Sequence, residues 1–217
     1  QTRWRVARPT SRTAYATPCL FYPEEGAPQL ILASDASGIT ALNPASGDFL
    51  WEGGGVFPFP WRCVNSPIAA GGLIFGSCGE GGVGKKMIGV RPPKSPGEEP
   101  EVVFTTSRSA PYVPTPVECN GLLFIWRDAG TVVCLDLETL EELWTGRVGG
   151  SFHGSPVCVD GKLYCVSWDG EVAVVAADRK FELLAKNELG EPSRSTPAVA
   201  HGRMYVRTES TLFCIGK

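Results

Sequence analysis

A Ser or Thr followed by Pro recurs five times along the 217 residues, at Thr17-Pro18, Ser66-Pro67, Thr115-Pro116, Ser155-Pro156 and Thr196-Pro197. The prolines are 49, 49, 40 and 41 residues apart, and in the last four copies a glycine stands five positions further on: Gly72, Gly121, Gly161 and Gly202. Self-similarity at such a period marks a repeat architecture, in which one supersecondary unit stacks on the next. In the first copy the insertion YPEEGAPQ occupies the equivalent point.

Each of the four glycines sits in a pair, GG, NG, DG or HG, between two short apolar runs, as in PVCVDGKLYCVS. Both central residues of a type I′ turn need positive φ, so each pair reads as the turn of a β-hairpin. Second turns follow at SDASGIT, RDAGTVV, SWDGEVA and RTESTLF, and third turns at NPASGDFLW and DLETLEELW. Every copy therefore supplies four antiparallel strands, here a to d, and four strands per copy at about 40–45 residues describe a β-propeller blade. Gly (26) and Pro (18) are abundant enough for that many turns. The expected fold is all-β: a single propeller over residues 1–217, with blades starting near 17, 66, 115, 155 and 196.

The ends share the phase. Strand d closes on Trp51, Phe104, Trp144 and Leu184, which lie 16, 12, 12 and 13 residues before the next proline, and Trp4 lies 14 before Pro18. The last copy stops before its own strand d. Residues 1–7 are thus expected to serve as the outer strand of the last blade, closing five blades into a ring and hiding an otherwise open edge. The same phase also fits the C-terminal part of a seven- or eight-bladed propeller, whose ring a missing portion of the chain or a second copy would complete.

Net charge is −3, from 20 basic and 23 acidic residues, with no basic footprint for nucleic acid. No apolar run is long enough to span a bilayer as a helix. GSCGEGGVGKK (76–86) nearly spells a phosphate loop. Lys86, however, stands where the motif needs Ser or Thr for magnesium, and a short strand stopped by prolines follows where a helix is needed. The stretch reads as an enlarged b–c loop over 77–86. The eight cysteines make no C-x-x-C pair, so a zinc site is not expected.

ALNPASGDFLW (41–51), CLDLETLEELW (134–144) and SPVCVDGKLYCVSWDGEV (155–172) resemble the A-L-D-x-x-T-G-x-x-x-W repeat of the PQQ-like β-propeller family. The resemblance implies the fold. Members range from quinoprotein dehydrogenases to an outer-membrane assembly lipoprotein that binds partners without chemistry. The adjacent-cysteine disulfide of the dehydrogenases has no counterpart here, so the resemblance implies no cofactor. SWDG also resembles the WD dipeptide of WD40 repeats, without their Gly-His partner.

Loops d–a and b–c emerge on one face of a propeller, and binding sites form where such loops converge. By register that face carries Arg12, Tyr15, Arg62, Arg127, Asp128, His153, Trp168, Asp169 and Arg194. Of these, Tyr15, Arg127, Asp128, His153, Trp168, Asp169 and Arg194 are the candidate ligand-binding residues. Trp168 offers a stacking surface, and the arginines of the SRT and SRS triplets offer anion contacts. His153 has the chemistry of a general base but no nucleophile or carboxylate beside it in the pattern, so no catalytic residue is assigned. Cys63 and Cys78 fall in the d–a and b–c loops of one blade, where a disulfide is geometrically allowed. Cys158 and Cys165, flanking one hairpin, are expected as buried thiols. A Cys63–Cys78 bond would place the chain in the periplasm or outside the cell; free thiols fit the cytoplasm as well. The expected function is non-catalytic recognition of a protein or small polar ligand by this face. The rival is a quinone-dependent oxidoreductase or a glycan-acting enzyme at the channel mouth.

Overall fold

A computed structural model describes residues 1–8, 13–53, 61–80, 83–95 and 97–216. The chain divides into two compact units, Gln1–Tyr112 and Val113–Lys217. Among the described residues every regular element is a β-strand.

The first unit holds two blades. One is β1 (Cys19–Phe21), β2 (Gln29–Ser34), β3 (Gly38–Leu42) and β4 (Phe49–Glu52). The other is β5 (Ile68–Ala70), β6 (Leu73–Glu80), β7 (Val83–Arg91) and β8 (Glu101–Thr106). The second unit begins with β9 (Val117–Cys119), β10 (Leu122–Trp126), β11 (Thr131–Asp136) and β12 (Glu142–Arg147). Next come β13 (Val157–Val159), β14 (Lys162–Val166), β15 (Glu171–Ala176) and β16 (Leu183–Glu188). The last sheet has three strands, β17 (Ala198–Ala200), β18 (Arg203–Arg207) and β19 (Leu212–Ile215). All pairings are antiparallel between sequence neighbours, and the sheets are propeller blades.

Each first strand begins two residues after its Ser or Thr, and the structure shows what that residue does. The amide of Thr17 donates to Ser66 Oγ (3.0 Å), that of Thr115 to Ser155 Oγ (2.9 Å), and that of Ser155 to Thr196 Oγ1 (2.9 Å). Proline cannot donate to a ladder. The residue before it therefore hands its own N–H to the next blade's hydroxyl, which staples neighbouring inner strands together. Strands a touch across blades at β1 with β5 and at β9 with β13.

The hairpin expectation is met residue by residue: Asn120, Asp160 and His201 have φ of 53°, 47° and 52°, each followed by a glycine at positive φ. Middle strands read as continuous apolar runs, as in β10, every residue of which is buried. The outermost β16 faces water and reads LLAKNE. Buried Ile31, Ile39, Ile74 and Ile88 join the two blades of the first unit. In the second unit Phe124, Trp126, Phe152, Leu163 and Cys165 join the third blade to the fourth.

The third turn of the repeat is built around an Asn or Asp. Asn43 Oδ1 accepts from the amide of Ala45, and Asp136 Oδ1 from those of Glu138 and Thr139. This Asx geometry is why the repeat needs a short polar residue there. The next constrained position is Gly47 in one copy but Leu140 in the other, which sits at φ 60°.

Three expectations are corrected. Residues 1–7 do not form the outer strand of the last blade: residues 1–8 carry no strand, and the last sheet has three. Trp4 nevertheless keeps the strand-d docking mode. Its indole N–H donates to the Pro44 carbonyl (3.0 Å), in the third turn of the first blade, just as Trp144 donates to Asp178 (2.9 Å) in the fourth. Arg8 continues this arm, donating to Thr40 Oγ1 at 2.7 Å. The phase of the repeat was legible; pairing by residues 1–7 was not, because among the described residues their contacts are made by side chains. Second, 77–86 is not a loop. Ser77, Cys78 and Gly79 pair with Met87, Lys86 and Lys85, extending the hairpin as far as Glu80 and Val83. Third, Cys63 and Cys78 are free buried thiols, pushed up to about 12 and about 11 by burial, and the disulfide joins Cys119 to Cys158. Those two lie on inner strands β9 and β13, brought together by the stapling of adjacent blades. Of the two cysteines expected as buried thiols, Cys165 is one, whereas Cys158 is not, being bonded to Cys119.

Candidate functional site

On the second unit the b–c turns and d–a loops interlock through their backbones. Asp128, Trp168 and Glu209 occupy equivalent places in the turns of the third, fourth and fifth blades. The Asp128 carbonyl accepts from the Phe152 amide (2.8 Å), and the Trp168 amide donates to Ser151 (2.6 Å). The Trp168 carbonyl accepts from Ser193 (3.0 Å), and the Glu209 amide donates to Pro192 (3.0 Å). Alternating turn and loop form a continuous belt. Glycines make the approach close enough: a Cβ on Gly130 or Gly170 would run into the carbonyl of Gly149 or Glu191.

From this belt rise three of the residues expected from the sequence. The Arg194 guanidinium lies 3.8 Å from the centroid of the Trp168 ring, and the His153 ring meets the same indole edge-on at 4.7 Å. A guanidinium stacked by its face keeps its in-plane N–H groups for other acceptors, the geometry that suits a planar anion. Beside the stack lies a cavity of about 240 Å³ lined by Pro192, Ser193, Arg194, Arg207, Thr208 and Glu209.

The walls of this cavity are fixed by polar side chains absent from the sequence reading. Ser193 and Ser195 hydroxyls both donate to the Arg207 carbonyl, at 2.7 Å each. Glu191 accepts from the hydroxyls of Thr208 (2.7 Å), Ser210 (2.7 Å) and Thr211 (3.1 Å) and from the Ser210 amide. Those donors, Thr208 foremost, hold its carboxyl down at about 2. No motif could flag Glu191, because its partners come from the following hairpin.

The remaining candidates separate. Asp169 is exposed on the Trp168 turn. Asp128 is a loop organiser whose Oδ1 accepts from the Val113 amide at 3.0 Å. Arg127 is half-buried in the third blade's turn, and its Nε has no hydrogen-bond partner among the described residues. Tyr15 belongs to the first unit, 61% exposed, with its amide donating to the Cys63 carbonyl. Arg62 is in the same unit, bridged to Gly79, and Arg12 lies outside the described residues.

Residues 101–180 match the family model described as outer membrane protein assembly factor BamB. No curated protein sequence matches the chain. Among solved structures, BamB from Moraxella catarrhalis superposes with a TM-score of 0.67 at 15% identity, covering 96% of this chain and 61% of that one. Sqt1 from Saccharomyces cerevisiae gives 0.68 at 12% identity over 93% and 59% of the two chains. The computationally designed Ika8 protein gives 0.66 at 9% identity over 91% and 57%. The chain thus spans about three fifths of the length of these structures. Residues 101–180 are thus similar to a repeat of the PQQ-like kind, and the whole chain shares the β-propeller fold of these structures.

Proposed function

We propose that this chain is a protein-binding scaffold module whose second unit recognises its partner through the d–a and b–c loop face. The observation that carries this reading is the stack of His153, Trp168 and Arg194 on a backbone-bonded belt. An aromatic and a cation held rigid at a surface lose little entropy on binding, which is the property of interaction hot spots. The likeness of fold to an outer-membrane assembly factor supports a binding role, and with the Cys119–Cys158 disulfide it supports an extracytoplasmic, periplasmic location. A photo-crosslinking residue at Asp169 tests the reading against one at His201, in an a–b turn. Adducts with a protein at Asp169 and none at His201 are expected; equal capture at both, or capture at His201 alone, would refute it.

A further inference from the structure

We infer that the cavity beside Trp168 takes the side-chain carboxylate of an acidic peptide segment, an inference that rests on the scaffold reading above. Among the described residues neither Arg194 nor Arg207 makes an ion pair, whereas Arg91, Arg179 and Lys186 each have a carboxylate at 2.5–2.7 Å. Arg194 and Arg207 line one cavity. Arg194 stacks on the indole, the Trp168 backbone is tied down through its amide and carbonyl and His153 flanks the ring, so the guanidinium edge is positioned before any ligand arrives. The hydroxyl donors of the wall are already occupied: Ser193 donates to the Arg207 carbonyl and Thr208 donates to Glu191. The free donors are thus cationic and planar, matched to a carboxylate by two parallel N–H···O bonds.

Glu209 lines the same cavity and is exposed, with no ion pair among the described residues. It sets the choice of acid. A dense run of negative charge would meet repulsion there, while a single carboxylate with a neighbouring peptide N–H can give its acid to the arginines and its amide to Glu209. The ligand class is therefore an acidic side chain within a peptide, rather than a polyanion.

Fluorescence anisotropy with labelled peptides tests this. The probes, acetylated and amidated, are Gly-Ser hexapeptides carrying one central Glu or one central Gln, with an uncapped Gly-Ser hexapeptide to supply a chain-terminal carboxylate. The Glu peptide should bind at least about tenfold more tightly than the Gln peptide, the scale of a charge-assisted pair. R194Q and R207Q should each remove about that factor, R194K should restore part of it, and E209Q should tighten binding severalfold. Equal binding of Glu and Gln peptides, no binding of either, binding of the uncapped peptide alone, or indifference to R194Q would overturn the inference. Crosslinking at Asp169 reads the scaffold function separately: if it persists while the Glu peptide fails, only the carboxylate assignment falls.

Discussion

Opening the Cys119–Cys158 bond is the sharpest single perturbation the fold offers. The bond ties the inner strands of the third and fourth blades across 39 residues, with Cα atoms 6.5 Å apart. In the chain-entropy treatment, closing a loop of that length removes about 4 kcal/mol of freedom from the unfolded chain at 25 °C. The native side already has the strands stapled by the Thr115 amide on Ser155 Oγ, so reduction should leave the fold intact while releasing that entropy. With a urea dependence of about 2 kcal/mol/M, the unfolding midpoint of the second unit should fall by about 2 M in the C119A/C158A variant. Native-state alkylation read by mass spectrometry should leave these two cysteines unlabelled until a reductant is added, while exposed Cys214 labels at once. Rapid labelling of Cys119 and Cys158 without reductant would refute the bond. A midpoint shift under about 0.5 M would refute the entropic reasoning.

Ser155→Ala removes the acceptor of the Thr115 amide; a loss of about 1 kcal/mol is expected in chemical unfolding, with Ser155→Thr retaining most of it, and faster hydrogen exchange at Thr115 as the local signature. Leu140→Gly should stabilise the second unit by up to about 1 kcal/mol, because φ 60° strains a residue bearing a Cβ; an unchanged or lower midpoint would show that the leucine's packing outweighs the strain. Glu191 has a folded value of about 2 against an ordinary 4.5, so its contribution is full above pH 4.5 and disappears as the pH falls through about 2. Glu191→Gln should accordingly flatten the acid limb of the stability profile between those values, measured by circular dichroism.

The sequence alone determined the blade. Spacing of Ser/Thr-Pro, the Asn-Gly, Asp-Gly and His-Gly turns and the apolar b and c strands are local chemistry, and each has one low-energy backbone solution. It also placed His153, Trp168 and Arg194 on one face, because loop order within a repeat fixes which loops share an end. Tertiary structure decided the rest, and for one reason: those contacts join residues that nothing local relates. Cys119 meets Cys158 because two inner strands lie side by side, while Cys63 and Cys78 stay reduced. Trp4 docks on Pro44 without joining a ladder. Glu191 is captured by hydroxyls 17 to 20 residues further on. Only packing of one blade on the next could choose among such pairings, and that packing turned three loop residues into a stacked site.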